Sequence, residues 1–217
     1  EIGSGLVGSE MCIRDREIIR GDIAIQDGII AGIGSFHGKE ERDLAGRYVC
    51  PGFIDSHLHL ESTLVTPAEL VTVASRHGTT TFIVDPHESA NVSGLAGVDY
   101  ILDQTENVKA NVYVMMPSCV PATSIDDNGC TLTAEDMAPY LHNSRILGLG
   151  EVMDSISVVQ GEKSMHDKLE LFEGRIRDGH APFLEEGDLQ AYAMAGIATD
   201  HECSFFDYAL SLIHISE

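Results

Sequence analysis

Two histidines two residues apart, His57 and His59 in Pro51-Gly52-Phe53-Ile54-Asp55-Ser56-His57-Leu58-His59-Leu60, close a short apolar run that reads as a β-strand. Alternate side chains of a strand share a face, so Asp55, His57, His59 and Glu61 are expected to point the same way. The two imidazoles would then stand about 7 Å apart along the strand, able to lean toward one cation. The chemistry this offers is that of a metal-dependent hydrolase. A bare H-x-H pair is equally compatible with two strand histidines bonded to their neighbours, so the surrounding pattern has to decide.

That pattern repeats. Apolar or β-rich runs ending on polar groups recur roughly every 20 to 35 residues, the period of successive βα units. Thr79 to Val84 runs into Asp85-Pro86-His87-Glu88, and Asn111 to Met116 into Pro117-Ser118-Cys119-Val120-Pro121. Ile146 to Gly150 ends at Glu151, Arg177-Asp178-Gly179 at His180, and Gly196 to Asp200 at His201-Glu202. With the first, this makes six expected strands, each finishing on residues able to bind or catalyse.

The intervening segments carry helix signals. Thr66 before Pro67-Ala68-Glu69 supplies an N-cap, a proline at the first helical position and an acid in the first turn. Thr133-Ala134-Glu135-Asp136 resembles a capping box opening a helix toward His142. Helices are also expected over Ser93 to about Gln104, Lys163 to about Phe172 and Leu184 to about Ala195. Strand and helix in this alternation predict an α/β fold with a parallel sheet. A TIM-type (β/α)8 barrel, whose site lies at the C-terminal ends of the strands, accounts for polar groups at nearly every strand end. A doubly wound open sheet would need only one or two at its switch point.

The Pro51 to His59 stretch resembles the first barrel strand of the amidohydrolase superfamily. Further motifs, in order across about residues 45 to 210, are similar to those of the bacterial adenine deaminases within it: His57 to Ser62, His77 to Thr81, Asp85 to Val92, Pro117 to Thr123, Leu147 to Met153, Asp178 to Pro182 and Asp200-His201-Glu202. The resemblance implies that His57 and His59 hold one metal, that Glu151 bridges to a second, and that His180 and His201 complete the second site. It implies a binuclear divalent centre, with manganese or iron favoured and zinc compatible with the same donors. It also implies hydroxide attack on C6 of adenine, giving hypoxanthine and ammonia, in a homo-oligomeric enzyme. Asp85, His87 and Glu88, at the end of the second strand, are candidate catalytic groups beside Glu151. Ser118 and Cys119 are expected to shape the substrate pocket, since a metal hydroxide needs no thiolate nucleophile.

Other tempting residues read as structural. His37 lies in a turn, His142 and His166 on helices and His214 in the C-terminal tail, all as surface groups. His77 before Gly78 suits a helix C-terminus. Asp55 either orients an imidazole or makes a strand-end hydrogen bond.

A net charge of -22 and a pI of about 4.6 argue against nucleic-acid or anionic-membrane partners. A neutral purine needs no basic cleft. Five unpatterned cysteines point to reduced thiols in the cytoplasm, and no apolar run approaches the ~20 residues of a membrane span. Residues 1–16 match no amidohydrolase pattern and resemble a translated adapter scar, as do residues 210–217, so both are set apart from the fold. Residues 17–50, with alternating isoleucines and charges, read as part of a small β-domain, and 51–209 as the barrel.

A closed barrel needs about 250 residues, so the barrel here is expected to be incomplete, stopping after its sixth strand. The resemblance places a metal-binding aspartate on an eighth strand, and no residue of this chain fills that role; the chain alone is expected to be inactive. Another amidohydrolase acting on a cyclic amide or amidine would commonly carry a modified lysine where Glu151 stands. The zinc nucleobase deaminases need H-x-E and then P-C-x-x-C; His59-Leu60-Glu61 matches the first half, but no C-x-x-C occurs. A metal-binding fragment without turnover is the alternative outside enzymology.

Overall fold

The computed structural model describes residues 4–10, 18–123, 125–182, 184–207 and 209. The chain divides into two units, Glu1–Gly52 and Phe53–Glu217.

The first unit is a four-stranded sheet of β1 (Ser4–Glu10), β2 (Arg20–Gln26), β3 (Ile29–Gly34) and β4 (Glu40–Asp43), in the order β3-β2-β1-β4. Asp27 and Gly28, with φ of 52° and 77°, turn β2 into β3. Two consecutive positive φ values make the type I′ hairpin that an Asp-Gly pair favours. Residues 4–10, set apart from the fold on sequence grounds, occupy a strand position, antiparallel to β2 and parallel to β4. Strand pairing uses main-chain groups, so a segment without family-like side chains can still join a sheet. Residues 11–16 and 210–217, His214 among them, lie outside the described residues.

The second unit is built on five parallel strands: β5 (Phe53–Leu58), β6 (Thr79–Val84), β7 (Asn111–Met116), β8 (Ile146–Val152) and β9 (Ile176–Gly179). Their spatial order is their chain order, β5-β6-β7-β8-β9. A doubly wound sheet reverses direction at a switch point, whereas this unbroken progression is that of a barrel wall. The central strands are buried on both faces: Val114, Met116 and Leu149 are fully enclosed, with Phe82 and Phe172 packed in the same core. Such two-sided burial is why these runs read as almost continuously apolar.

Seven α-helices occur among the described residues, six between strands and the last after β9: α1 (Pro67–Ser75), α2 (His87–Ser93), α3 (Leu95–Gln104), α4 (Ala134–Met137), α5 (Ser155–Gln160), α6 (Lys163–Leu171) and α7 (Glu186–Met194). Thr66 caps α1 by accepting from the Glu69 amide, and Thr133 with Asp136 forms the expected capping box at α4, which runs on as a 3-10 turn to His142. The helix expected from Ser93 to about Gln104 is α3, which begins at Leu95; a separate short helix, α2, precedes it and ends at Gly94, whose backbone (φ 62°, ψ −141°) no helix accommodates. His77 follows α1, exposed, with its amide bonded to the Ala74 carbonyl.

Two strand expectations are corrected. Residues 196–200 form no strand: a single long main-chain bond, Ala198 N to Arg177 O at 3.4 Å, joins this stretch to β9, and the ladder goes no further. Among the described residues the wall therefore has five strands instead of six. Glu61 also leaves the strand face, because the backbone turns helical at Leu60 and Glu61–Thr63 forms a 3-10 turn.

Candidate metal centre

The strand order brings the C-terminal ends of β5, β6, β8 and β9 together around one carboxylate. Glu151, the penultimate residue of β8, is 3% exposed. Its Oε1 lies 2.5 Å from His57 Nε2, 3.0 Å from His59 Nε2 and 3.2 Å from His201 Nε2. Its Oε2 lies 3.5 Å from His180 Nδ1 and 4.0 Å from His87 Nε2. All five residues expected to hold metal are thus brought together.

Hydrogen bonding decides what this cluster can accept. His59 Nδ1 lies 2.8 Å from the Asp85 carbonyl, which can only accept, so that nitrogen carries a proton. His57 Nδ1 faces Asp178 Oδ2 at 3.1 Å, again an acceptor. In their neutral forms both rings therefore present a bare Nε2, and these two lone pairs face each other at 3.1 Å. That arrangement is repulsive unless something positive sits among them. In the metal-free protein protons fill the role. Burial works against a charged His57, but hydrogen bonds to Asp178 and Glu151 prevail and raise its pKa to about 10. The Glu151 hydrogen bond takes His59 to about 9. Burial opposes ionisation of Glu151, yet its bonds to the two histidines hold its carboxyl well below the usual range.

The same donors fit divalent cations. Three groups each have ligand atoms within 4.8 Å of one another: His57 with His59 and Glu151, Glu151 with His180 and His201, and His57 with Asp178 and His201; Glu151 belongs to the first two. His180 Nδ1 is buried and makes no hydrogen bond within the described protein. A buried donor or acceptor left unpaired is costly, and a cation would satisfy it.

Glu151 is held by its peptide. Its amide donates to Asp85 Oδ2 at 2.7 Å, and its carbonyl accepts from Ser118 Oγ. Gly150 permits this approach, since a Cβ there would collide with the Asp85 carboxylate. Asp85 is 1% exposed, and burial together with the Glu151 charge pushes its pKa up to about 7. It lies beneath the cluster as a support for Glu151 and His59. His87, first residue of α2, has its ring edge-on to His59 at 4.6 Å, and burial lowers its pKa, keeping it neutral. Glu88 is exposed and accepts from Ser62 Oγ at 2.7 Å, outside the cluster.

Ser118 and Cys119 are buried beside a cavity of about 720 Å³ that Val120, Thr133, Asp154 and Lys168 also line. Burial raises the Cys119 thiol pKa, which is unfavourable for a nucleophile. Of the residues read as structural, His37 is exposed and pairs with Glu41, and His142 is exposed. His166 is half-buried against the Val158 carbonyl at 2.9 Å. Asp55 accepts from the His57 amide at 3.4 Å, while the His57 ring is bonded to Asp178 instead. Asp178 and the buried Lys168, whose Nζ donates to the Ser118 carbonyl at 2.7 Å, are the residues the sequence reading passed over. Asp178 had a signal, standing two before His180 on one strand face; Lys168 had only its helical spacing.

The sequence profile of the amidohydrolase family matches residues 48–217. The chain belongs to the amidohydrolase family. Relatives of this chain include proteins named adenine deaminase from Desulfitobacterium hafniense (strain Y51), 59% identical over 197 residues, and from Clostridium acetobutylicum, 50% identical over 190 residues. The alignments cover 91% and 87% of this chain but 35% and 33% of the relatives. The amidohydrolase chain thus spans about a third of the length of the curated relatives it matches. Among solved structures, atrazine chlorohydrolase TrzN from Arthrobacter aurescens TC1, complexed with zinc, superposes with a TM-score of 0.52 at 14% identity, covering 97% of this chain and 67% of that one. At that identity the likeness carries the fold, and it agrees with the barrel-wall sheet order.

Proposed function

We propose that the Glu151 cluster holds two divalent cations, and that the whole protein uses them to deaminate adenine to hypoxanthine and ammonia. One observation carries the reading: the bare Nε2 atoms of His57 and His59 converge on the carboxylate that His180 and His201 approach from the other group. His57 and His59 would hold one cation, His180 and His201 the other, and Glu151 both. Imidazole and carboxylate suit manganese, iron or zinc, with the first two favoured by the family resemblance. Bound cations would supply Lewis acidity that brings the pKa of water toward neutrality.

The chain's own groups do the remaining work. Asp85 and Ser118 fix the Glu151 peptide from its two sides. His87, 4.0 Å from Glu151 Oε2 and kept neutral by burial, would take up a proton at Nε2 and pass it to the amine leaving C6. Ser118 and Cys119 line a cavity that none of the five cluster residues lines, so Ser118 serves the centre through its hold on Glu151, and Glu88 acts from outside by holding the loop that carries Ser62. Adenine is the substrate to which the relatives' names point. The net charge of -22 suits a free, neutral purine better than a nucleic acid. The reading includes a cytoplasmic homo-oligomer; no helix among the described residues is long and apolar enough to cross a membrane.

A second reading, cation binding without turnover in this chain alone, is favoured by the five strands of the wall among the described residues, fewer than the eight of a closed barrel. The test is elemental analysis of the purified chain with an assay of ammonia release from adenine. Two cations per chain and no ammonia are expected from the chain alone, and ammonia release from a protein of the relatives' length. Absence of cations would sink the centre, and ammonia release by the chain would sink its inactivity.

A further inference from the structure

Asp178 belongs to β9, two residues before His180, and its carboxylate faces away from Glu151 across two rings. Its Oδ2 lies 3.1 Å from His57 Nδ1 and 3.7 Å from His201 Nδ1, while its Oδ1 accepts from Thr199 Oγ1 at 2.5 Å. The His57 and His201 rings stack between the two carboxylates, with centroids 3.7 Å apart and planes at 22°. Their Nε2 atoms reach Glu151 Oε1, so Asp178 holds the Nδ1 edge of the ring pair and Glu151 the Nε2 edge.

We propose that Asp178 is a positioning residue shared by both cation sites, accepting the Nδ1 proton of His57 and attracting the Nδ1–H of His201 by its charge, so that each ring offers its Nε2 lone pair. The proposal rests on the two-cation reading above. An imidazole that gives its Nδ1 proton to a carboxylate is fixed in tautomer and orientation and becomes a better ligand. A carboxylate oxygen has lone pairs for two donors, and Thr199 occupies the other oxygen, so both rings can share Oδ2. His57, within hydrogen-bond distance, is held firmly; His201 at 3.7 Å is held by charge. The consequence is coupling: the two histidines belong to different sites of the centre, and one residue orients both.

The test compares the chain with Asp178→Asn, which keeps the shape but can turn an N–H toward Nδ1, and with Thr199→Val, which frees Asp178 at an exposed position. Manganese(II) binding is followed by electron paramagnetic resonance titration, with cation content by elemental analysis. Two cations are expected in the wild type. Asp178→Asn should weaken both binding steps, by about 10- to 100-fold at the step that uses His57, and Thr199→Val should weaken both by less. In the zinc-loaded protein, the downfield proton resonance of the His57 Nδ1–H group should disappear in Asp178→Asn, a loss that a merely structural role would not produce. Weakening of only one step, or of neither, overturns the proposal; so does a third cation lost on Asp178→Asn, which would make Asp178 a ligand. If Asp178→Asn fails to fold by circular dichroism, unchanged affinities in Thr199→Val overturn it. A wild type that takes up no cation removes the centre itself, and is seen before any variant is compared.

Discussion

At the scale of single residues, protons and cations compete for the same nitrogens. With the pKa of His57 raised to about 10 and that of His59 to about 9, both rings are protonated near neutrality in the metal-free protein, and binding a cation must displace those protons. Cation affinity should therefore rise with pH up to about 10, with proton release at pH 8. Calorimetric titration in buffers of differing protonation enthalpy measures that release, and binding enthalpies independent of buffer would contradict it. The same groups set a folding dependence. A histidine whose folded pKa lies above its unfolded value of about 6.5 stabilises fully below that value and loses the contribution as pH rises through its folded pKa. The metal-free chain should thus lose stability as pH rises from about 6.5 to about 10, and added cation should restore it. Asp85 works in the opposite pH range: raised from 3.8 to about 7, it costs stability as pH rises from about 4 to 7. Replacing Glu151 by Gln keeps the size of the side chain but removes the charge both cation groups share, so cation content should fall from two toward none in elemental analysis, with folding retained in far-UV circular dichroism.

At the scale of elements, most of what places the site was legible because strands announce themselves by period and polarity. His57, His59, Glu151 and His180 follow from where apolar runs stop, and the caps at Thr66 and Thr133 from local side-chain chemistry. What escaped depends on long-range geometry. Asp178 gains its meaning only when β9 lies beside the histidines of β5, 121 residues away in sequence. The stretch 196–200 has strand-like composition, yet a strand also needs a partner ladder, and its composition carries no record of one. The short helix α5 lacks the length for a clear apolar period, and its cap, Asp154 accepting from the Ser157 amide, is one residue in a loop. Gly150 is another case: it reads as a neutral strand residue, but its missing Cβ is the space Asp85 occupies. Gly150→Ala should cost about 1–3 kcal/mol, as overpacking does in a filled core, and should loosen cation binding by shifting the Glu151 peptide. Chemical denaturation and manganese titration of the same variant read the two effects; a variant as stable as the parent would mean that Asp85 moves aside freely.

At the scale of the whole molecule, an open wall meets a large negative charge. Among the described residues β5 and β9 each pair on one side only, and on β5 Phe53 and Ile54 are 64% and 63% exposed. An apolar strand edge is a template for pairing with another chain, whereas a net charge of -22 repels one copy from the next. Which effect wins depends on ionic strength, since the Debye length shrinks from about 30 Å at 0.01 M salt to about 3 Å at 1 M, while apolar burial and main-chain pairing are little screened. The chain alone should therefore stay dispersed in dilute buffer and associate as salt is raised, and Phe53→Lys with Ile54→Lys should suppress that association by placing charge on the edge itself. Light scattering across a salt series makes the comparison. Association that weakens as salt rises would mean that ionic contacts hold the copies together, and association unchanged by the two lysines would move the contact away from β5.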